Sequence, residues 1–350
     1  MQQHHSNILI ISNMGPKPAT PFQGLFVQQQ VDALSPLAPE YHFMRWHNDS
    51  RLNRLFKYPV FIADFFWRFM LRRKKFDLLH VHFFYPTIWL ALLYQWCRNP
   101  AAKIVVTCHG SDIYKYQPPG KIYCWCAAKV DYWIFSSSKL KAHFIPQVSD
   151  STVLSAGISG IYTDVARLSR SEKTIDLLYA GTLDHNKGMD RLIAMLPALD
   201  GKRIVIAGAG NWHAKLQQAV KAYPLVELAG PQTAEGLKQL YRQAKCFISL
   251  SRKESFGLVM TEAMACYTPV VATETDGSLE QIMPQQGMLV PQLQDETAQA
   301  RVMVQAVQTI WQLPDAEYQQ MQLAARATAE QYLLPNIVTA LQQIYKRVTA

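Results

Sequence analysis

The sequence predicts an α/β protein made of two doubly wound domains, each a parallel sheet with helices on both faces. The chain has 350 residues, enough for two domains of about 170 residues that each bury a core. Short apolar strands alternate with helical segments, as is typical of parallel sheets. This alternation stops once, between residues 157 and 174, and restarts at Ile175.

The first domain opens with a strand, a glycine-containing loop and a helix. Residues 7 to 12 form a short apolar run of the kind that is buried in a parallel sheet. A loop rich in glycine and proline follows, and a helix begins near Leu25 with Val27 and Val31 on one face. Such a loop admits a phosphate or a sugar, so Gly24 either gives this access or is a simple turn residue.

Residues 51 to 75 interleave aromatic rings with lysine and arginine, and end in the basic run Arg72, Arg73, Lys74 and Lys75. This composition suits insertion of rings at a lipid interface beside anionic head groups. It also suits a core helix whose ring-bearing face packs on the sheet. We favour an anionic membrane surface, since most of the net charge of +9 lies in the first half of the chain. No motif for RNA or DNA binding is present, so nucleic acid is not an expected partner.

A strand at residues 103 to 107 leads into Cys108-His109-Gly110-Ser111-Asp112. A histidine followed by glycine at the carboxyl end of a parallel strand points into the crevice where such sheets bind ligands. His109 is therefore either a reactive-site residue or a structural histidine.

The second domain begins after this interruption. We predict domains at residues 1–165 and 166–330. Residues 331–350 are predicted to form a C-terminal helix that packs on an apolar surface such as the first domain.

The first strand of the second domain leads into the loop 181–190, where Lys187 precedes a glycine at a helix start. This position suits contact with a phosphate, although a plain surface lysine is the alternative. Glycines 208 and 210 resemble a dinucleotide fingerprint without its third glycine, so we interpret them as a tight turn.

Residues 254–262 read Glu-Ser-Phe-Gly-Leu-Val-Met-Thr-Glu and lie between a predicted strand and a predicted helix. The first amides of a helix have no internal partners and can receive a phosphate, and Gly257 lets that group come close. Glu254 stays on the loop side, while Glu262 lies about 7 Å further along the helix axis. A nucleotide sugar would match the order carboxylate, amides, carboxylate. The alternative is a pair of solvated glutamates.

No targeting or membrane-spanning segment is expected. The first six residues lack the pattern of a signal peptide, and no later segment approaches about 18 uninterrupted apolar residues, so we expect a cytoplasmic protein. The six cysteines mostly stand singly in apolar runs, as reduced buried thiols do. Cys124 and Cys126 have no second pair at ligand spacing, so a metal site is not expected.

Together these segments resemble the retaining glycosyltransferases of the GT-B fold that are classified as family 4, or group 1. Residues 254–262 match the family's paired-glutamate motif, and residues 181–190 match its lysine loop. Residues 108–112 resemble its first-domain histidine segment, and Gly24 stands where its first-domain loop has a glycine. The resemblance implies two Rossmann-like domains that face a central cleft.

The resemblance also implies roles for the donor-binding residues. Lys187 and the amides around Phe256, Gly257 and Leu258 would bind the diphosphate of a UDP or GDP sugar. Glu262 would accept hydrogen bonds from the ribose hydroxyls.

Two further residues would act at the sugar itself. Glu254 would hold hydroxyls of the donor sugar, and His109 would approach that sugar or line the reaction face.

The chain departs from the family pattern at three places. Thr182 stands where members usually carry an arginine, so the leaving diphosphate has one predicted cation instead of two. Residues 266–268 replace the usual glycine after the helix, and Asp276 stands where a glycine is common.

The implied reaction moves a hexose from a nucleotide diphosphate sugar to a hydroxyl of a saccharide acceptor, with retention and without a metal or cofactor. No Asp-X-Asp triplet is present to hold a divalent ion. The basic, aromatic first domain fits a lipid-linked glycan, such as a lipopolysaccharide or exopolysaccharide precursor, at the inner face of the cytoplasmic membrane. A sugar-nucleotide epimerase on the same fold and a non-catalytic, membrane-associated partner subunit are the alternatives.

Overall fold

The structure is a computed structural model that describes residues 7–17, 23–46, 50–148 and 150–350. The first six residues and residues 18–22 of the glycine-rich loop lie outside the described residues. The chain divides into two compact units, one formed by residues 1–157 with 334–350 and the other by residues 158–333.

The first unit contains a six-stranded parallel sheet. Its strands are β1 Ile8–Ser12, β2 Glu40–Phe43, β3 Leu78–His82, β4 Lys103–Cys108, β5 Tyr132–Phe135 and β6 Ser151–Val153. Their order is β2-β1-β3-β4-β5-β6. The helices that precede residue 157 are α1 Leu25–Ala33, α2 Arg51–Phe65, α3 Phe84–Cys97, α4 Ser111–Tyr114, α5 Lys121–Ala127 and α6 Ser138–Ala142.

Both faces of this sheet are buried, which explains why β1 is apolar throughout. Ile8 and Ile10 face one core together with Val27 of α1. Leu9 and Ile11 face the opposite core together with residues of α2 and α3. Because side chains alternate between the two faces of a strand, a strand that is covered on both sides reads as a continuous apolar run.

The second unit repeats this architecture. Its strands are β7 Ile175–Ala180, β8 Ile204–Ala207, β9 Val226–Gly230, β10 Ala244–Ser249, β11 Val270–Thr273 and β12 Gly287–Val290. All pairings are parallel and the order is β12-β11-β10-β7-β8-β9. The helices are α7 Met189–Met195, α8 His213–Ala219, α9 Ala234–Gln243, α10 Leu258–Ala265, α11 Asp276–Gln281, α12 Glu296–Gln312 and α13 Asp315–Glu330. The prediction of two doubly wound, Rossmann-like domains is confirmed.

The division falls between Gly157 and Ile158 rather than at residue 165. Ile158 forms a parallel bridge with Leu333, and its side chain is buried in the core of the second unit with Tyr162 and Val165. The interruption in the sequence therefore already belongs to the second core.

The last helix, α14 Leu334–Thr349, returns to the first unit. Its apolar face, which includes Ile337, Leu341 and Ile344, is buried in the same core as Ile8 and Val27 of the first sheet. The packing of this face fixes the end of the chain on the first unit.

The aromatic and basic segment has two different faces. Helix α2 continues into a π-helical turn at Phe66–Met70. Phe61, Phe65 and Phe69 are buried and pack around His42, so the interpretation as a core helix is right for this side. The opposite side exposes large apolar residues at helical spacing, namely Leu52, Leu55, Phe56, Ile62, Phe66 and Trp67. We call this set the α2 apolar stripe.

Glycines 208 and 210 allow two loops of the second unit to pack closely. A Cβ at Gly208 would lie 1.8 Å from the carbonyl oxygen of Gly181, and a Cβ at Gly210 would lie 2.2 Å from that of Leu183. Only glycine fits such a close approach of one backbone to another. The pair thus serves the packing of the loop after β8 on the loop after β7.

None of the helices in the described part of the chain is both long and apolar enough to cross a bilayer.

Candidate functional site

Helix α10 begins after its turn from β10 without a capping side chain at the N-cap position. This position is Gly257, which has the left-handed φ of 82° and makes no side-chain cap hydrogen bond. A Cβ at this position would lie 2.6 Å from the Met260 side chain and 2.9 Å from that of Glu254. Glycine is therefore needed here, and the positive end of the helix is available to an anion.

Helix α11 holds this turn in place. The amide of Gly277 donates to the carbonyl of Glu254 at 2.9 Å, and the side-chain amide of Gln281 donates to the carbonyl of Phe256. A Cβ at Gly277 would lie 2.2 Å from that Phe256 oxygen. Asp276, where a glycine is common in the family, is only the first residue of α11. The close approach falls on Gly277, so the departure at Asp276 leaves the turn intact.

Lys187 and Glu254 form an ion pair. The Lys187 ammonium donates to Oε2 of Glu254, and the two side chains are 25% and 17% exposed. The backbone amide of Lys187 also donates to Oδ1 of Asp184 at 2.8 Å. Gly188 has φ 74°, and a Cβ there would lie 2.3 Å from the carbonyl oxygen of Leu250. The close packing of this loop on the end of β10 brings Lys187 and Glu254 together, the two residues that the sequence predicts to contact a nucleotide sugar.

Glu262 lies in the first two turns of α10, on a partly buried side. The hydroxyl of Tyr241 donates to its Oε2 at 3.0 Å. Burial raises the pKa of Glu262 to about 7, and the hydrogen bond from Tyr241 only partly offsets this effect. The carboxyl therefore changes its charge near neutral pH.

Thr182 contributes no positive charge, and its side chain is exposed. Its carbonyl accepts a hydrogen bond from the Tyr179 hydroxyl at 2.8 Å. Arg252, which is close in sequence to Glu254, donates to Asp190 at 2.6 Å and to Glu296 at 2.8 Å. These ion pairs hold the Arg252 side chain against Asp190 and Glu296.

The end of α10 explains the second departure. Tyr267 takes the left-handed conformation, with φ 56°, where the family usually has glycine. A non-glycine residue in this region costs roughly 1–2 kcal/mol. Gln322 donates to the Tyr267 carbonyl at 3.1 Å, and the Arg326 guanidinium lies 5.6 Å from its ring. These contacts stabilise the turn without a glycine.

His109 of the first unit is a half-buried histidine directly after β4. Burial lowers its pKa to about 3. Its Nε2 lies 3.1 Å from Nδ1 of His82, and the two rings are stacked with centroids 5.3 Å apart. The carboxylate of Asp112 accepts from the amides of His109 at 3.0 Å and Gly110 at 2.9 Å. His82 was not predicted, although it ends β3, the strand beside β4.

Gly24 is placed before α1 as a turn residue. Its φ is 72°, and a Cβ there would lie 3.0 Å from the backbone of both Met14 and Gly15. The glycine thus allows the loop after β1 to pack against the start of α1.

The basic run after α2 is exposed at all four positions. Arg72 and Lys74 both contact Glu40, at 3.0 Å and 2.9 Å. The run therefore keeps a net positive charge of its own beside the α2 apolar stripe.

Over the described ranges, no group of three or more histidine, cysteine, aspartate or glutamate residues is arranged to hold a metal ion. The six cysteines are free thiols, and four of them are buried.

Comparison with known proteins shows the family to which the two units belong. The family described as "Glycosyl transferases group 1" matches residues 163–309, and "Glycosyltransferase Family 4" matches residues 29–158. An uncharacterised glycosyltransferase of Methanocaldococcus jannaschii is 28% identical over 207 residues, which are 57% of this chain and 57% of that protein. The match thus spans little more than half the length of this relative.

Two solved structures share the fold over nearly the whole chain. Sucrose-phosphate synthase from Thermosynechococcus elongatus has a TM-score of 0.77 at 18% identity and covers 97% of this chain and 98% of its own. Anabaena HepE, solved in complex with UDP and glucose, has a TM-score of 0.70 at 15% identity and covers 97% and 100%. With both family domains present and two Rossmann-like units of the GT-B fold, the chain belongs to the group 1 and family 4 glycosyltransferases.

Proposed function

We propose that this protein transfers a hexose from a nucleotide diphosphate sugar to a hydroxyl of a saccharide acceptor, with retention and without a metal ion or cofactor. The observation that carries the proposal is the meeting of Lys187, Glu254 and the uncapped start of α10 in the second unit. A structural neighbour bound to UDP and glucose supports a UDP sugar as the donor.

The donor would lie along α10. The amides of Phe256, Gly257 and Leu258 would hold the diphosphate, because they carry the positive end of the helix dipole. Lys187 would add a point charge there, and Glu262 would accept from the ribose hydroxyls. Because Thr182 carries no charge, Lys187 is the side-chain cation on which this proposal rests.

In the proposed step, the bond between the anomeric carbon and the diphosphate oxygen breaks, and the acceptor oxygen bonds to the same face of that carbon. The acceptor proton passes to the departing phosphate oxygen. Lys187 and the α10 amides stabilise the charge that develops on the diphosphate. Glu254 orients the sugar hydroxyls and does not attack. The roles of His109 and Gly24 toward the donor stay predictions from the resemblance.

Calorimetric titration with UDP and GDP sugars, followed by measurement of nucleotide release with and without acceptor, tests the proposal. Binding together with acceptor-dependent release is the expected result. Interconversion of nucleotide sugars without an acceptor would instead identify an epimerase. No binding of either nucleotide would identify a non-catalytic partner subunit.

Glu262 makes binding of UDP depend on pH. We expect the affinity to fall about tenfold for each pH unit below about 7, because ribose hydroxyls donate to the ionised carboxylate and binding must release the proton of Glu262. Calorimetry in buffers of different ionisation enthalpy measures both the affinity and the released proton. Glu262→Gln removes this titrating carboxyl and should leave only the pH dependence that the terminal phosphate of UDP contributes. A parent profile equal to that of Glu262→Gln would contradict the assignment.

We further propose that the acceptor is lipid-linked, in lipopolysaccharide or other cell-surface polysaccharide synthesis, and that the protein acts at the inner face of the cytoplasmic membrane. The α2 apolar stripe and the neighbouring basic run support this. Leu52 and Leu55 of the stripe are 68% and 69% exposed, and Trp67 is 75% exposed. Apolar rings beside lysine and arginine suit an interface with anionic lipids.

Liposome flotation tests the membrane proposal. Neutralising Arg72, Arg73, Lys74 and Lys75 should weaken binding to anionic vesicles by about 1 kcal/mol for each charge and should matter little for neutral vesicles. A stripe variant, Leu55→Ser with Trp67→Ser, should weaken binding to both. Leu323→Ser is the control, because Leu323 is 48% exposed in the second unit. If all variants float like the parent, the protein does not bind membranes through this surface.

A further inference from the structure

Tyr241 is a buried tyrosine whose hydroxyl contacts the carboxylate of Glu262. It lies near the end of α9, and its side chain is 0% exposed. The hydroxyl donates to Oε2 of Glu262 at 3.0 Å. A buried tyrosine hydroxyl needs a hydrogen-bond partner, because an unpaired polar group away from water is costly. Glu262, which lies 21 positions further along the chain, supplies this partner.

The surrounding core holds Tyr241 in place. Its ring packs edge to face on Phe247 of β10, with centroids 5.6 Å apart, and its centroid lies 6.4 Å from that of Tyr162. The Thr268 hydroxyl donates to its carbonyl at 2.6 Å. Side chains in such a close-packed core keep one orientation. The hydroxyl therefore meets Glu262 from a fixed position.

This contact makes the two oxygens of the Glu262 carboxylate different. Oε2 accepts from Tyr241, whereas no hydrogen bond from the described residues reaches Oε1. Glu262 is half-buried, and Oε1 is not among its enclosed atoms. One oxygen is thus used within the protein, and the other remains available to a ligand.

The hydrogen bond also favours the ionised form of Glu262. Burial raises the pKa of this carboxyl, and the Tyr241 hydrogen bond lowers it. Burial raises the pKa of Tyr241 well above its ordinary value, so its hydroxyl stays a donor while Glu262 titrates. The other titratable groups on the segments around α10 include Glu235, Lys238 and Arg242 of α9, Lys245 and Cys246 of β10, Asp276 and Glu280 of α11, Arg326 of α13, and Tyr162, Lys173 and Cys266.

We propose that Tyr241 is a positioning residue of the donor site, whose hydroxyl holds Oε2 of Glu262 so that the ionised carboxylate meets a ribose hydroxyl through Oε1. The inference rests on the proposed transferase function, in which Glu262 accepts from the ribose. A carboxylate that is already held at one oxygen loses less freedom when a ligand binds the other. Tyr241 acts on the donor only through Glu262.

Tyr241→Phe tests the inference, because it removes the hydroxyl and keeps the packed ring. Titration of Glu262 should move upward by about one pH unit, since the ionised carboxylate loses a donor. The affinity for UDP should fall about tenfold near pH 7, where the added proton and the lost positioning both count, and about twofold near pH 9. Calorimetry measures the affinity. Carboxyl carbon NMR of the protein without UDP follows the titration, and Glu262→Gln identifies the signal.

Tyr318→Phe is the matched control. Tyr318 is 1% exposed in the same unit, and its hydroxyl donates to the Lys245 carbonyl at 2.7 Å. Its loss should leave the titration of Glu262 and the affinity for UDP unchanged. In a Glu262→Gln background, Tyr241→Phe should change the affinity by less than about twofold, because the residue through which it acts is gone.

Two outcomes would overturn the inference: an equal loss of UDP affinity in Tyr241→Phe and Tyr318→Phe, or an undiminished loss in the Glu262→Gln background. If Tyr241→Phe binds UDP like the parent and with the same pH profile, the role of Tyr241 is refuted and the transferase function stands. If the parent binds no UDP while the titration of Glu262 still shifts in Tyr241→Phe, the transferase function is refuted and the hold of Tyr241 on Glu262 stands.

Discussion

Lys187→Ala should lower kcat/KM for sugar transfer by about 10²- to 10³-fold and should also weaken the binding of UDP. Glu254→Ala should lower transfer to a similar degree without weakening the binding of UDP. The two residues form one ion pair in the structure, yet the proposed reaction assigns them to different parts of the donor. Steady-state kinetics together with calorimetry for both variants separates these effects.

The ion pair between Lys187 and Glu254 explains why the two substitutions should differ in their effect on UDP affinity. Without a donor, the Lys187 ammonium is neutralised by Glu254, and both side chains are largely covered. A diphosphate that binds to Lys187 competes with this carboxylate. Removal of Glu254 therefore leaves the cation available to the diphosphate, so UDP should bind at least as tightly as in the parent. The loss of transfer then reflects a donor sugar that is no longer oriented.

Lys245→Ala is the matched control. Lys245 pairs with Asp176 at 2.8 Å in the same unit, and the two side chains are 29% and 22% exposed. Loss of this comparable ion pair should leave transfer and UDP affinity near those of the parent. Transfer by Glu254→Ala at the parent rate would refute the role of Glu254, and equal loss of UDP affinity in both site variants would refute the division of roles.

The strands that the sequence predicts best are those with both faces buried, such as β1 and β8, because their apolar runs are continuous. β2 reads Glu-Tyr-His-Phe and was missed, since its first two residues are only half-buried and it lacks such a run. Within the site, the spacing of Glu254 and Glu262 follows from one turn and the helix after it, so it can be predicted locally. The ion pair between Lys187 and Glu254 joins residues 67 positions apart and depends on how two loops pack.

The first unit was harder to predict, for the same reason. It contains a cavity that is lined by Trp46, Lys57, Tyr85 and Lys115, which come from separate segments. The sequence suggested a basic, aromatic first domain, but only the fold shows which rings and which lysines share one cavity. Likewise, desolvation lowers the pKa of His109, and no spacing within the sequence reveals this or the contact of His109 with His82.

Gly188→Ala should destabilise the second unit by roughly 3 kcal/mol or more, whereas Gly201→Ala should cost only about 1 kcal/mol. The two glycines have nearly the same left-handed φ, 74° and 76°, so the conformational cost of alanine is matched. At Gly201 a Cβ would meet nothing within 4 Å, but at Gly188 it would lie 2.3 Å from the Leu250 carbonyl oxygen. The backbone at Gly188 must therefore move.

That movement should also reach the site, because Gly188 follows Lys187 directly and its loop packs on the end of β10. Urea unfolding of the full chain, followed by hydrogen exchange of the β7 and β10 amides, measures the loss of stability in the second unit. UDP affinity of the folded variant measures displacement of Lys187. Equal losses of stability in Gly188→Ala and Gly201→Ala would mean that the loop adapts to a methyl group at position 188. The close contact with Leu250 would then not be what positions Lys187 beside Glu254.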